Sequence, residues 1–311
     1  MREPTKKAER KGPPMIRIRD LTQSFFTFWR AAQDKEQAEQ LRLWQEIYES
    51  ENRDVLQVYF SPPHWGQREN LPEALKRYEE DNEGILKTAE KMEKLVSKIV
   101  SKVLTAFDTR EDEVEIDVVI FVGTYGADGF CFPVEERWTT FFALEVLSRY
   151  GDAIAALVAH ELSHGIHFEL GRKTHSMSVG DAIRDPSIFF QVVPLLFIEG
   201  LGVSASKQVI PGLEERVYLL YTSEQWDWCQ ENRGKIISLV LEHLEGQEHQ
   251  DSSELFGPWE PTEELPYPRI GYYVGYLVIE ELLKQYSLRE LAEIEYGKYP
   301  QIIGMTLQKL S

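Results

Sequence analysis

Apolar residues recur every three or four positions through the first third of this 311-residue chain, the signature of amphipathic helices. From Ile16 to about Phe60 the series Leu21, Phe25, Phe28, Trp29, Leu41, Trp44, Tyr48 and Leu56 predicts two or three helices, ended by Ser61-Pro62-Pro63. A longer helix is predicted from about Leu71 to Phe107, with Pro72 in the first turn, where proline is tolerated. The texture then changes. Glu113 to Val122 alternates and becomes continuously apolar and β-branched, which predicts a strand. Gly123, Gly126 and Asp128-Gly129 predict a turn, and Phe130 to Val134 the returning strand of a small antiparallel sheet. Trp138 to Leu170 is expected to form two helices meeting at Tyr150-Gly151-Asp152. Further helices are expected from about Leu195 to Ser206, from Pro211-Gly212 to Leu244, from Arg269 to Tyr286 and from Leu288 onward, with a polar, proline-rich surface loop over 246–268.

This pattern predicts an α+β, mainly α-helical protein. Residues 1–14, rich in Lys, Arg and Pro, are expected to be a disordered basic tail, and 15–311 a single domain. Within it, 15–112 form an N-terminal helical part, 113–135 the small sheet and 136–311 a second helical part.

Composition narrows the function. Lys and Arg number 34 against 52 Asp and Glu, a net charge of −18, which argues against a nucleic-acid partner and against attraction to anionic membranes. Two cysteines, Cys131 and Cys229, are too few for a disulfide scaffold. No signal-peptide core and no uncharged stretch of membrane-spanning length is evident, so a cytoplasmic location is expected.

One stretch carries chemistry: Val158-Ala-His-Glu-Leu-Ser-His-Gly-Ile-His167. His160 and His164 are four residues apart, so on a helix their imidazoles project from one face a turn apart, close enough to share one zinc ion. Glu161 is too close in sequence to be a ligand in this HExxH spacing and has the place of the general base. The approach to His160, residues 153–159, is wholly apolar, so these polar groups would be buried at a cost that a metal relieves. His167 lies about 10 Å along the axis from His160, too far to share the ion, and is expected to have a supporting or structural role.

A hydrolytic zinc site needs a third protein ligand. Glu169, His175, Asp181, Asp185, Glu199 and His243 are candidates, and Glu199 stands out as a lone acid in an otherwise apolar segment, 192–203. Gly200 and Gly202 beside it would let that helix approach the histidine helix closely.

HELSH followed some 35 residues later by FIEGLGVSAS resembles the gluzincin arrangement of zincin peptidases. More specifically it is similar to a predicted zinc-dependent protease family catalogued as a domain of unknown function. FFTFWRAA, LEVLSRYGDAIAALVAHELSH and YPRIGYYVGYLVIEEL also match, so the resemblance covers most of residues 20–285. It implies a gluzincin-like fold with the small sheet near the HExxH helix, zinc on His160, His164 and Glu199, and Glu161 as general base. It also implies that residues near 123–134 line the cleft and pair with extended substrate. Thermolysin-like enzymes carry an aspartate four residues after the ligand glutamate; Val203 stands there in this chain, leaving Asp181, Asp185 or Ser204 to orient a histidine.

Two readings apply to the late segment from Arg269. Gly271 and Gly275, one turn apart, form a smooth packing strip, or the tyrosines beside them serve the reaction. Tyr272 with Arg269 nearby is the first candidate for stabilising an oxyanion, Tyr276 the second. The expected activity is that of a zinc metallopeptidase on peptide or protein substrates. The alternatives are a zinc hydrolase for a non-peptide amide or ester and a catalytically silent binding or regulatory protein.

Overall fold

The computed structural model describes residues 15–62, 65–175, 191–245, 253–257 and 265–311; the tail 1–14 and most of the predicted loop 246–268 lie outside them. The protein is mainly helical, with one four-stranded mixed sheet. The sheet departs from the expected antiparallel pair. Its strands β1 (Ile16–Asp20), β2 (Ile116–Phe121), β3 (Gly129–Val134) and β4 (Arg137–Ala143) lie in the order β1-β2-β4-β3. β1 and β4 run parallel to β2, and β3 runs antiparallel to β4 at the sheet edge.

Two strands thus replace predicted helix. Ile16-Arg17-Ile18-Arg19-Asp20 alternates with a period of two, which the helical series after it conceals. Trp138 to Ala143 is a short run of aromatic and Thr residues, where periodicity alone does not separate a buried strand from a helix. The parallel β1–β2 pair needs a crossover, supplied by α1 (Thr22–Ala32), α2 (Gln37–Leu43), α3 (Arg53–Phe60) and α4 (Leu71–Ala106). These helices enclose an aromatic cluster in which Phe25 meets Tyr78 edge-on at 5.2 Å and Trp44 meets Tyr48 at 4.8 Å.

Before Asp128, the segment between β2 and β3 lacks regular backbone partners among the described residues, and buried side chains supply them. Tyr48 Oη donates to the Val122 carbonyl (2.9 Å) and accepts from its N–H (3.0 Å). Tyr59 Oη accepts from the N–H groups of Thr124 (2.9 Å) and Gly126 (3.1 Å), and Tyr78 Oη donates to the Gly123 carbonyl. The Glu145 carboxylate, from the one-turn helix α5 (Leu144–Leu147), accepts from Gly123 (2.8 Å) and Tyr125 (3.0 Å). Buried backbone amides need such partners, and here they fix a loop that ordinary pairing leaves free.

Gly151, at φ +54, ends this stretch as expected, and a 3₁₀ turn leads into α6 (Ile154–His175), which carries the histidine motif. Every residue from 156 to 171 is buried. α6 packs on the sheet and on α7 (Val192–Val209), and the chain continues through α8 (Glu215–Tyr218), α9 (Ser223–Glu231), α10 (Arg233–Glu245), α11 (Ser253–Phe256), α12 (Ile270–Leu282), α13 (Leu288–Ala292) and α14 (Tyr299–Leu310). α7 is long and apolar enough to cross a membrane, but most of it is buried inside the protein. α12 lies against it. A Cβ on Gly200 would stand 2.2 Å from the Gly275 carbonyl oxygen, and one on Gly275 would stand 2.4 Å from that of Leu196. Gly200 therefore serves the α7–α12 contact and not, as expected, the histidine helix, and of the expected packing strip only Gly275 lies in that contact. Gly271 meets the Phe256 ring instead.

Glu145 is fully buried, and that burial pushes its carboxyl from an ordinary value near 4.5 up to about 7. An acid whose folded value is raised contributes stability below its unfolded value and loses it as the pH rises through the folded one. The wild-type unfolding free energy is therefore expected to fall between about pH 5 and 7.5, relative to Glu145→Gln, by on the order of 3 kcal/mol. Denaturant titrations across that window check this, and parallel curves for the two proteins refute it.

Candidate metal centre

Four residues apart on α6, His160 and His164 bring their Nε2 atoms to 2.9 Å from each other. Glu199, projecting from α7, places Oε2 at 3.1 Å from the first and 3.5 Å from the second. Ligands held tetrahedrally at zinc bond lengths of about 2.0–2.2 Å stand about 3.3–3.5 Å apart, so the triangle is close to the size a zinc ion requires. Two neutral imidazole nitrogens facing each other also need a proton or a cation between their lone pairs. Two imidazoles and a carboxylate are a donor set that zinc takes. The three residues fit the metal.

Gly202 makes the triangle possible. It lies one turn beyond Glu199 on the same face of α7, and a Cβ there would stand 2.8 Å from His160 Cε1 and 2.9 Å from His164 Cε1. The predicted close approach of the two helices is thus made by Gly202 alone.

The two imidazoles are buried and the carboxylate is half-buried, with 9%, 6% and 14% of the His160, His164 and Glu199 side chains exposed. Burial, then the neighbouring His164, lower the His160 pKa. Burial alone pushes His164 down, but Glu199 outweighs it and leaves that imidazole raised. Burial alone pushes Glu199 up, but the two imidazoles outweigh it and hold its carboxyl well below the usual carboxylate range. The cluster attracts positive charge, which a proton and a metal cation compete to provide.

Glu161, one residue along α6, points toward the sheet. Its donor atom lies within 4.8 Å of those of both histidines, and its Cγ and Cδ occupy the space a Cβ on Gly129 would need, at 2.7 and 3.2 Å. Burial pushes its carboxyl up to about 8, with Asp128 and Glu199 adding to the rise and His164 and Arg269 opposing it. Asp128-Gly129, read from the sequence only as a turn, is therefore part of the site: Gly129 leaves room for Glu161, and Asp128 accepts a hydrogen bond from Tyr150 Oη at 2.9 Å.

All four residues open on a cavity of about 610 Å³, walled by β3 on one side and by the start of α12 on the other. Three donors facing a cavity would leave a coordination position of a bound metal open to it. Arg269 and Tyr272 both line it, with the guanidinium carbon 4.3 Å from the centre of the phenol ring. Burial, then the Glu199 charge, raise the Tyr272 pKa, so the phenol stays protonated and able to donate. Tyr276, the second candidate, is drawn elsewhere. It donates to Glu215 at 2.7 Å and accepts from Lys207 at 2.7 Å, which in turn contacts Glu280 at 2.8 Å, and it does not line the cavity.

The remaining candidates also separate. His167 Nε2 meets Tyr299 Oη at 3.1 Å among the rings of Phe197 and Tyr296, and burial lowers its pKa to about 3, so it is a neutral, structural imidazole. Glu169 is not a ligand, because Arg172 holds it by two contacts of 2.7 Å. Among the described residues neither Ser204 Oγ nor His164 Nδ1, both buried, has a hydrogen-bond partner, so Ser204 does not orient a histidine. Asp181, Asp185 and the side chains of His175 and His243 lie outside the described residues. Comparison of the chain with protein-family models, curated proteins and solved structures found no match.

Purified protein is expected to bind one equivalent of zinc, with binding lost in His164→Ala. Gly202→Ala should weaken zinc at least about 10-fold by displacing both imidazoles, with the far-ultraviolet circular dichroism unchanged. Competition against a chromophoric chelator measures this, and wild-type affinity in Gly202→Ala would contradict the packing account.

Proposed function

We propose that the protein is a zinc-dependent metallopeptidase of gluzincin-like arrangement. The observation that carries this reading is the His160, His164 and Glu199 triangle with the Glu161 carboxylate beside it, all facing one cavity. His160, His164 and Glu199 would hold the zinc ion, which would supply Lewis acidity at the mouth of the cavity. Glu161 takes the proton from the attacking water and returns it to the leaving amine, a task suited to a carboxyl whose proton affinity lies near neutrality. Tyr272 donates a hydrogen bond to the developing oxyanion, with Arg269 stacked over its ring.

Substrate alignment falls to β3. The bond from Ala143 N–H to the Asp128 carbonyl, 2.9 Å, makes residues 128, 130, 132 and 134 the ones bonded to β4. Gly129, Cys131 and Pro133 therefore turn their backbone groups to the free edge, beside the cavity. Pro133 falls where a missing N–H leaves the sheet intact. An extended peptide adding to this edge by strand pairing would lie along the site, which favours a peptide over an isolated amide or ester.

Glu161→Gln is expected to lower kcat for a cleaved peptide by 10²–10⁴-fold or more while zinc stays at one equivalent; retained activity would remove Glu161 from the reaction. Tyr272→Phe should lower kcat by on the order of 10²-fold with little change in KM, measured by steady-state kinetics on the same peptide.

A further inference from the structure

Arg269 is the only Lys or Arg among the described residues that line the cavity, where the Tyr272 phenol hydrogen-bonds it and the Asp128 and Glu161 carboxylates act on it from a greater distance. Arg269 is half-buried, and the fork of a guanidinium carries five N–H donors, more than one phenol can occupy, so it can meet an anion that enters the cavity. Its backbone is held with unusual care. Arg269 adopts a left-handed conformation, φ +62, which a non-glycine residue keeps only when its surroundings impose it. Tyr221 Oη donates to its carbonyl at 2.5 Å and Gln225 Nε2 to the Pro268 carbonyl at 2.7 Å, so the junction is pinned on both sides as α12 begins. The Tyr272 ring carries the guanidinium on its face, 4.3 Å from its centre, and fixes its direction.

We propose that Arg269 is the anchor for a substrate carboxylate, so that the site selects peptides presenting a carboxylate near the scissile bond, from the chain terminus or from an acidic side chain. The planar fork of a guanidinium matches a carboxylate through two hydrogen bonds. Glu161, Glu199 and Asp128 around the cavity disfavour a dianion such as phosphate more than they disfavour a monoanion. Assigning this carboxylate to a peptidase substrate rests on the function proposed above; the anion site itself does not.

Two measurements test it. In the first, zinc-loaded and zinc-free protein are titrated calorimetrically with N-acetyl-phenylalanine, its amide and inorganic phosphate. Binding of the acid but not the amide, surviving zinc removal and weakened on the order of 100-fold in Arg269→Gln, supports the proposal whether or not any peptide is cleaved. Acid binding that vanishes with zinc and persists in Arg269→Gln, or phosphate binding tighter than the acid, overturns it. In the second, kcat/KM is compared for peptide pairs differing only in a free or amidated C-terminus, and for pairs differing only in Asp or Asn. A preference of about 100-fold for the acid in one set names the source of the carboxylate, and that ratio is expected to collapse toward one in Arg269→Gln. Equal rates for acids and neutral analogues in both sets overturn the proposal while leaving the peptidase reading intact.

Discussion

Two helix axes come close enough at Gly202 for a carboxylate on one to meet two imidazoles on the other, and the rest of the site follows from that approach. Glu199 and Gly202 are three residues apart, so α7 presents a ligand and a bare backbone to α6 from the same face, the second making room for the rings that the first must reach. Gly200 opens the opposite side of α7 to Gly275 of α12. A helix gripped so closely on two sides has little freedom to shift, which is what holding three donor atoms at metal-binding separations demands. The packing that buries α7 also desolvates Glu199, and the two imidazoles offset that cost.

The two glutamates of the site show how environment separates chemically identical groups. The half-buried Glu199 is held far below the usual carboxylate range by the imidazoles at its edge, whereas the buried Glu161, turned toward Gly129 and the sheet, is pushed up to about 8. A permanent anion suits a metal ligand, and a carboxyl that exchanges its proton near neutrality suits a base. Acids driven apart in this way are suited to separate tasks, the division that the proposed function draws on.

How far this could be read from the sequence depended on whether the relevant contact was local. The helical spacing of His160, Glu161 and His164 is a property of one turn, and Glu199 announced itself as a lone acid in a core segment, so these donors were legible. Strand pairing was not. β1 and β4 join β2 through parallel, non-local contacts, and nothing in Trp138 to Ala143 distinguishes a buried strand from a helix. Tyr272 and Tyr276 are one turn apart and equivalent by pattern; only Lys207 and Glu215, brought from other parts of the chain, remove the second from the cavity. Asp128-Gly129 has the composition of any turn, and its closeness to Glu161 depends on the sheet register.

That register gives the mixed sheet its consequence for the site. With β4 between β2 and β3, the position of Gly129 is set by its pairing with Phe142, while the loop leading to it is tied down by Tyr48, Tyr59, Tyr78 and Glu145. The metal side of the site therefore depends on helix packing through Gly202, and the base side on the sheet through Gly129. Glu161 stands where the two meet, on the helix that carries the two histidines and against the strand whose outer edge runs along the cavity. A disturbance of either half reaches the same carboxylate, which makes the distance between Glu161 and the histidines a property of the whole domain and not of the five-residue motif alone.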